Sequence, residues 1–278
     1  MMGKFSRSWA LVKASAGVLR SDKELLVFPL IAAGAAALVA LSFALPVFGL
    51  GLLDGAGRGA PPALYLLAFA FYLSQYFVMF FFNCALVGAA MIRLDGGDPT
   101  VRDGLAIAWS RVGAILGYAA VAATVGLLLR ALEERLGLVG RIVTGLLGAA
   151  WTVATFLTVP VLVARDLGPL DAIRESTQLL RRSWGENLIG NGGIGLAFGL
   201  LTVLAGIGLI GGGVVLMASV STGAGLALIV LGVLATGLLA LVQTALSGIY
   251  SAALYRFATG AEGGAFDEAL LADAFRGR

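Results

Sequence analysis

The chain reads as an all-α, polytopic transmembrane helical bundle of about six spans, with three interfacial amphipathic helices on the cytoplasmic side. Composition gives the first reason. Of 278 residues, 59% are hydrophobic and only 13% charged, whereas a soluble globular domain carries about 25% charged residues. So little charge cannot cover a water-exposed surface, and a mean hydropathy of +0.97 points to lipid as the remaining solvent. The second reason is that charges partition the sequence. Runs free of Asp, Glu, Lys and Arg cover 25–53, 59–92, 112–129, 142–164 and 188–255, and a span needs about 20 apolar residues. The third is the placement of cations. Lys4, Arg7, Lys13, Arg20, Lys23, Arg93, Arg102, Arg111, Arg165, Arg174, Arg181, Arg182, Arg256, Arg276 and Arg278 fall on one set of connections. Only Arg58, Arg130, Arg135 and Arg141 fall on the other. The positive-inside rule then places both termini in the cytoplasm of a cell-membrane protein.

The spans follow in order at about 25–50, 64–91, 112–130, 142–164, 188–217 and 226–254, within one membrane domain that fills the chain and ends in a tail over 255–278. The last run is long enough for two helices, with a turn at Ser-Val-Ser-Thr-Gly-Ala-Gly (219–225). Dividing it into three would carry the tail's arginines to the other side. Gly211-Gly212-Gly213 marks a kink or an unwound turn in the fifth span. Pro160 predicts a kink in the fourth, because it frees the carbonyl of Phe156, with Thr155 and Thr158 near enough to satisfy the local backbone.

Each of three basic segments carries an apolar stripe at helical spacing and leads directly into a span. Over 1–23 the stripe is Phe5, Trp9, Val12, Ala16 and Leu19, with Lys4, Trp9, Lys13 and Arg20 as interfacial anchors. In the second loop it is Val101, Leu105, Ala108 and Val112, where Thr100 and Asp103 form a capping box. In the fourth loop it is Leu170, Ile173, Thr177, Leu180 and Trp184, starting at Pro169. The pattern suggests three copies of one unit (interfacial helix, outgoing span, short loop, returning span); the alternative is that any basic loop between spans tends to read as amphipathic.

Reactive chemistry is sparse. There is no histidine, which removes the commonest general base and metal ligand. Cys84, the only cysteine, lies in an apolar run where its thiol stays un-ionised. No charged residue lies within the runs, which argues against a proton-coupled pump. Gln75, Asn83 and Gln243 are the intramembrane amides, read either as interhelical hydrogen bonds or as a polar path. Small-xxx-small pairs at Gly113/Gly117, Gly195/Gly199 and Gly208/Gly212 predict close helix packing. No catalytic centre, cofactor, metal or nucleic-acid partner is expected. The most informative cluster is the entry to the fifth span: Arg181, Arg182, Trp184, Glu186, Asn187 and Asn191. There an aromatic ring anchors at head-group depth and two guanidinium groups can grip phosphate. Anionic lipid at the cytoplasmic face is the expected ligand, and a protein partner or a second copy the other class.

The stretches FSRSWALVKASAGVLRSDKELLVFPL (5–30), TVRDGLAIAWSRVGAILGY (100–118) and AWTVATFLTVPVLVARDLGPLDAIRESTQLLRRSWGEN (150–187) resemble a bacterial family of six-helix membrane proteins catalogued as domain of unknown function 6159. The resemblance implies the architecture and no activity. A more distant likeness is to the membrane region attached to some glycerophosphodiester phosphodiesterases, whose catalytic part has no counterpart here. The function expected is that of a membrane scaffold, assembly partner or lipid-associated protein, with a permease or flippase of a neutral or lipidic substrate as the alternative.

Overall fold

The computed structural model describes residues 4–49, 62–182, 195 and 198–260, with side chains for all of these except 4–12, 62, 63, 137–139 and 182. No strand occurs among the described residues. Six helical stretches are long and apolar enough to cross a membrane: Lys23–Gly49, Leu64–Leu94, Val112–Leu136, Gly140–Ala164, Phe198–Ser219 and Thr222–Ala258. The chain divides into two compact units, one of Met1–Leu26 with Ser183–Arg278, the other of Val27–Arg182.

In the second of these, α2 (Val27–Gly49) pairs with α3 (Pro62–Leu94), followed by α4 (Val101–Ser110), α5 (Val112–Ala154), α6 (Thr158–Ala164) and α7 (Pro169–Arg182). Two glycines set the α3–α4 contact. A Cβ on Gly104 would lie 2.5 Å from Phe28 and 2.7 Å from the carbonyl oxygen of Ala85, and one on Gly88 would lie 2.9 Å from Ile107. Around this crossing Phe28, Cys84, Ala85, Leu86, Val87 and Ala108 are buried.

α5 is helical over 43 residues, where two spans and a loop over 130–141 were expected. The chain nevertheless reverses. A Cβ on Gly140 would lie 3.2 Å from the carbonyl oxygen of Glu133, whereas seven residues of straight helix rise about 10 Å. The Arg141–Glu133 ion pair, 3.6 Å, closes this turn. The reversal falls within 133–140, and its two arms are the third and fourth spans.

The second arm breaks at Thr155–Leu157 before α6 resumes, three residues ahead of Pro160. The repair differs from the one expected. The Thr155 hydroxyl donates to Trp151 O (2.8 Å) within its own helix. It is Ser176, from α7, that spans the break: its Oγ accepts from the Leu157 N–H (3.1 Å) and donates to Ala154 O (2.7 Å). Inside a bundle those two backbone groups have no bulk water to turn to, and the Ser176 side chain satisfies both.

In the other unit, α1 (Lys4–Ser21), a 3-10 turn (Lys23–Leu26) and α9 (Thr222–Ala258) pack together, and α8 (Phe198–Ser219) forms a hairpin with α9. Ser15, Val18, Leu19 and Leu25 are buried. The hairpin turns at Val220–Ser221, where the Ser221 hydroxyl caps α9 by accepting from Ala224 N–H. Its packing glycines are Gly213, Gly225 and Gly232. A Cβ on Gly225 would stand 2.5 Å from Met217 N and 2.6 Å from Gly213 O. Gly199 and Gly208 meet nothing within 4 Å, and a Cβ on Gly212 only one side-chain atom at 3.8 Å. In this hairpin the expected pairs are therefore not the contact glycines. The kink or unwound turn expected at Gly211-Gly212-Gly213 does not appear: the backbone stays helical there, a π-helical stretch over Gly206–Gly211 passing into α-helix from Gly212.

Candidate functional site

The polar end of the Val27–Arg182 unit gathers three short connections. Arg93 bonds both the Gly97 carbonyl (3.2 Å) and the Asp98 carboxylate (3.4 Å), folding the α3–α4 link onto itself. Arg111, between α4 and α5, pairs with Asp166 of the α6–α7 link. Arg165 pairs with Glu175 of α7 at 2.9 Å. α7 is thereby held at its start by Pro169, whose ring lies against Gly117 of α5, and along its length by Glu175 and Ser176.

The face by which α7 is seated is offset from the apolar stripe and shares only Leu180 with it among the described residues. Ala172, Ser176, Leu179 and Leu180 are buried, while Leu170 is 57% exposed and Ile173 and Thr177 are half-buried. Small side chains at 172 and 176 let the helix approach α5 and α6 closely, and shape outweighs hydrophobicity at that contact. Turned outward instead are Leu170, Asp171, Arg174, Gln178 and Arg181. Arg174 pairs with Asp171 at 3.2 Å. The Arg181 guanidinium has no ion-pair partner among the described residues. On α4, Trp109 is 66% exposed and packs edge-on against Phe81, centroids 5.3 Å apart.

Arg182 lies at the end of α7 with its side chain outside the described set, and Trp184, Glu186, Asn187 and Asn191 lie outside the described residues altogether. Of the anchors, Lys13 and Arg20 are exposed on α1, whereas Lys4 and Trp9 are in the helix without described side chains. Of that stripe, Ala16 is half-buried and Leu19 buried. Gln75 is an interhelical hydrogen bond: its Nε2 donates to Ala36 O of α2 at 3.0 Å. Asn83 is half-buried on α3, and Gln243, also half-buried, belongs to the other unit. Ser176 went unnoticed in the sequence because a serine within an amphipathic pattern gives no sign of bonding across to another helix.

The capping box at Thr100 and Asp103 is complete. Asp103 N–H donates to Thr100 Oγ1 (3.3 Å) while its carboxylate accepts from Thr100 N–H (2.9 Å) and Thr100 Oγ1 (2.7 Å). These bonds from Thr100, side chain first and then backbone, hold the Asp103 carboxyl below its usual value. A depressed carboxylate contributes stability above its unfolded pKa, and that contribution is lost as pH falls through the lower folded value. The start of α4 should therefore loosen only in acid below the ordinary Asp range of about 3.9. Amide exchange at 103–104, followed against pH, should show this step in the native chain and not in Asp103→Asn.

Six apolar spanning helices with charged connections define a multi-pass helical membrane protein. No group of three or more metal-ligating side chains occurs among the described residues. The chain belongs to a family of unknown function (DUF6159), whose model matches residues 62–265. The match begins at α3, so the N-terminal stretch over 5–30 lies outside it. No curated protein matches the chain.

Proposed function

We propose that this is a non-enzymatic protein of the cell membrane, with both termini cytoplasmic, that binds anionic lipid or an assembly partner through the basic outer face of α7 and the entry to the fifth span. The observation that carries the reading is the seating of α7. Its inner face is fixed by Ser176 and Glu175 while Arg181 is directed outward. A cation on a fixed helix loses little freedom when it engages phosphate. The spacing of boundary groups supports the membrane placement. From Arg111 to Arg130 the helix rises about 28 Å, close to the hydrocarbon thickness of about 30 Å. Arg130 at the far end bonds the Tyr72 hydroxyl (2.8 Å) and Glu134 (3.1 Å).

Orientation is tested by single-cysteine labelling in a Cys84→Ala background. Cysteines at 102 and 181 should react from the cytoplasmic side, and those at 57 and 134 only from outside. Labelling of position 57 from the cytoplasm alone would overturn the arrangement. For lipid binding, Arg181→Gln with Arg182→Gln should leave insertion intact. Each cation near an anionic surface is worth about 1 kcal/mol, so anionic lipid should bind roughly 30-fold more weakly. Native mass spectrometry of the protein from mild detergent reads this, and unchanged lipid and partner content would reduce the cluster to simple anchoring.

A second reading, a permease or flippase of a neutral or lipidic substrate, draws on two irregular spans: the break at Thr155–Leu157 and the π-helical stretch in α8. Interrupted helices line substrate sites in transporters, and π stretches often mark functional positions. Proteoliposomes with head-group-labelled lipid separate the two readings. Transbilayer movement accelerated by the protein would favour the second.

A further inference from the structure

Two of the amphipathic helices match each other position by position, each seated within its own unit. Residues 13–20 of α1 read Lys-Ala-Ser-Ala-Gly-Val-Leu-Arg, and residues 174–181 of α7 read Arg-Glu-Ser-Thr-Gln-Leu-Leu-Arg. Ser15, Val18 and Leu19 are buried, and so are their counterparts Ser176, Leu179 and Leu180. Ala14 and Ala16 are half-buried, as are Glu175 and Thr177. Lys13, Gly17 and Arg20 are exposed on α1, and Arg174, Gln178 and Arg181 on α7. Each helix lies against a returning span, α1 on α9 and α7 on α6. Any basic loop can carry an apolar stripe, but burial is set by the neighbour as well as by the sequence. Agreement at every one of these positions means that the two helices are seated the same way.

The match extends to charge. In both helices the exposed cations stand seven residues apart, about 10 Å along one outward face. Arg174 shares its charge with Asp171 at 3.2 Å, whereas the α1 counterpart of Asp171 is Ala10. Lys13 and Arg20 have no ion-pair partner among the described residues, so their charge is the more available for an anion. The third amphipathic helix lacks this feature. α4 buries Gly104 and Ala108 where α7 buries Ala172 and Ser176. It carries exposed Ala106 in the place of Lys13 and Arg174, and it ends at Ser110 before a second cation could follow.

We propose that Lys13 and Arg20 form a second site for the phosphate of an anionic lipid head group, equivalent to the one read on α7 and resting on that reading, and that α4 has none. Cations on a seated helix are positioned before the lipid arrives, and charge-assisted bonds to phosphate are the strong ones.

The full-length protein, reconstituted with phosphatidylglycerol and taken into mild detergent, should retain two tightly held lipids by native mass spectrometry. Lys13→Gln with Arg20→Gln should weaken one of them roughly 30-fold, as two cations near an anionic surface imply, and leave the other in place. Arg181→Gln with Arg182→Gln should do the converse, and the fourfold variant should retain neither. Lys13→Arg with Arg20→Lys keeps the charge and should keep the lipid. Lys13 and Arg20 are exposed, so the glutamine pair should melt with the native protein. Loss confined to the α7 variant would overturn the second site and leave the reading of α7 standing, whereas no loss in either would overturn both. A tightly held lipid that survives the fourfold change would overturn the restriction to these two helices.

Discussion

Replacing Gly104 with alanine should lower the Tm of the protein by about 5–10 °C, while the same change at Gly113, nine residues on, should leave it unchanged or slightly raised. The added methyl at 104 would stand 2.5 Å from Phe28 and 2.7 Å from the Ala85 carbonyl oxygen. The phenyl ring is fully buried and the oxygen belongs to the backbone of α3, so neither can step aside. Either α4 lifts from α3 or both helices shift. Overpacking of this kind costs about 1–3 kcal/mol and occasionally more, at about 2–4 °C per kcal/mol for a chain of this size. At Gly113 a Cβ meets nothing within 4 Å, and alanine is the better helix former by about 1 kcal/mol. The protein supplies its own reporter. Cys84, the only cysteine, is completely buried next to Ala85, so a thiol-reactive fluorophore added during heating reads the opening of this crossing. Equal melting of the two variants would show that α4 does not depend on the close approach.

The contrast between these glycines also marks where sequence reading stops. Charge-free runs located all six apolar helices, because the cost of a charge in lipid is large and local, and the capping box at Thr100 and Asp103 was legible for the same local reason. Which glycine packs was legible only in part: Gly117 of the expected pairs meets the Pro169 ring, but the contact glycines of the α8–α9 hairpin were not foreseen. Spacing of four selected Gly208 and Gly212, but the contact is made by Gly213 against Gly225 and Ile229. The π-helical stretch Gly206–Gly211 takes an extra residue into its turn, so the face presented to α9 moves on by one residue, and no periodicity count includes that shift. The face of α7 escaped for a related reason. The apolar stripe through Leu170 and Ile173 marks an interfacial face and does not say which face meets the protein; the contact with α5 and α6 selects the small residues Ala172 and Ser176, a preference set by a partner that the local pattern does not contain. Of the proposed lipid-binding cluster, only Arg181 has a described side chain, so its chemistry rests on residue type and on the seating of the helix before it.

Ser176→Ala should be the most damaging single-atom deletion in the described structure. The serine is completely buried, and its hydroxyl is the partner of two backbone groups at once, the Leu157 N–H and the Ala154 carbonyl. Losing it strands both at the break in the fourth span. Thr177 Oγ1 reaches Ala154 O only at 3.5 Å, too long to substitute. A buried group left unsatisfied costs about 1–3 kcal/mol, so two together imply about 2–6 kcal/mol, while the cavity left by one oxygen adds little. The loss should be local before it is global. Amide exchange at 155–158 should accelerate, and α7 should become accessible to protease at temperatures where α3 remains protected. Thr152→Ala is the matched control. Its exposed hydroxyl bonds Gly148 O of its own helix at 2.9 Å, and that carbonyl retains its helical partner when the hydroxyl is removed. Were Ser176→Ala to melt with the wild type and exchange no faster at Leu157, the break would have to be held by packing of Leu157, Val161 and Leu162 alone, and α7 would lose its role as the clasp of that span.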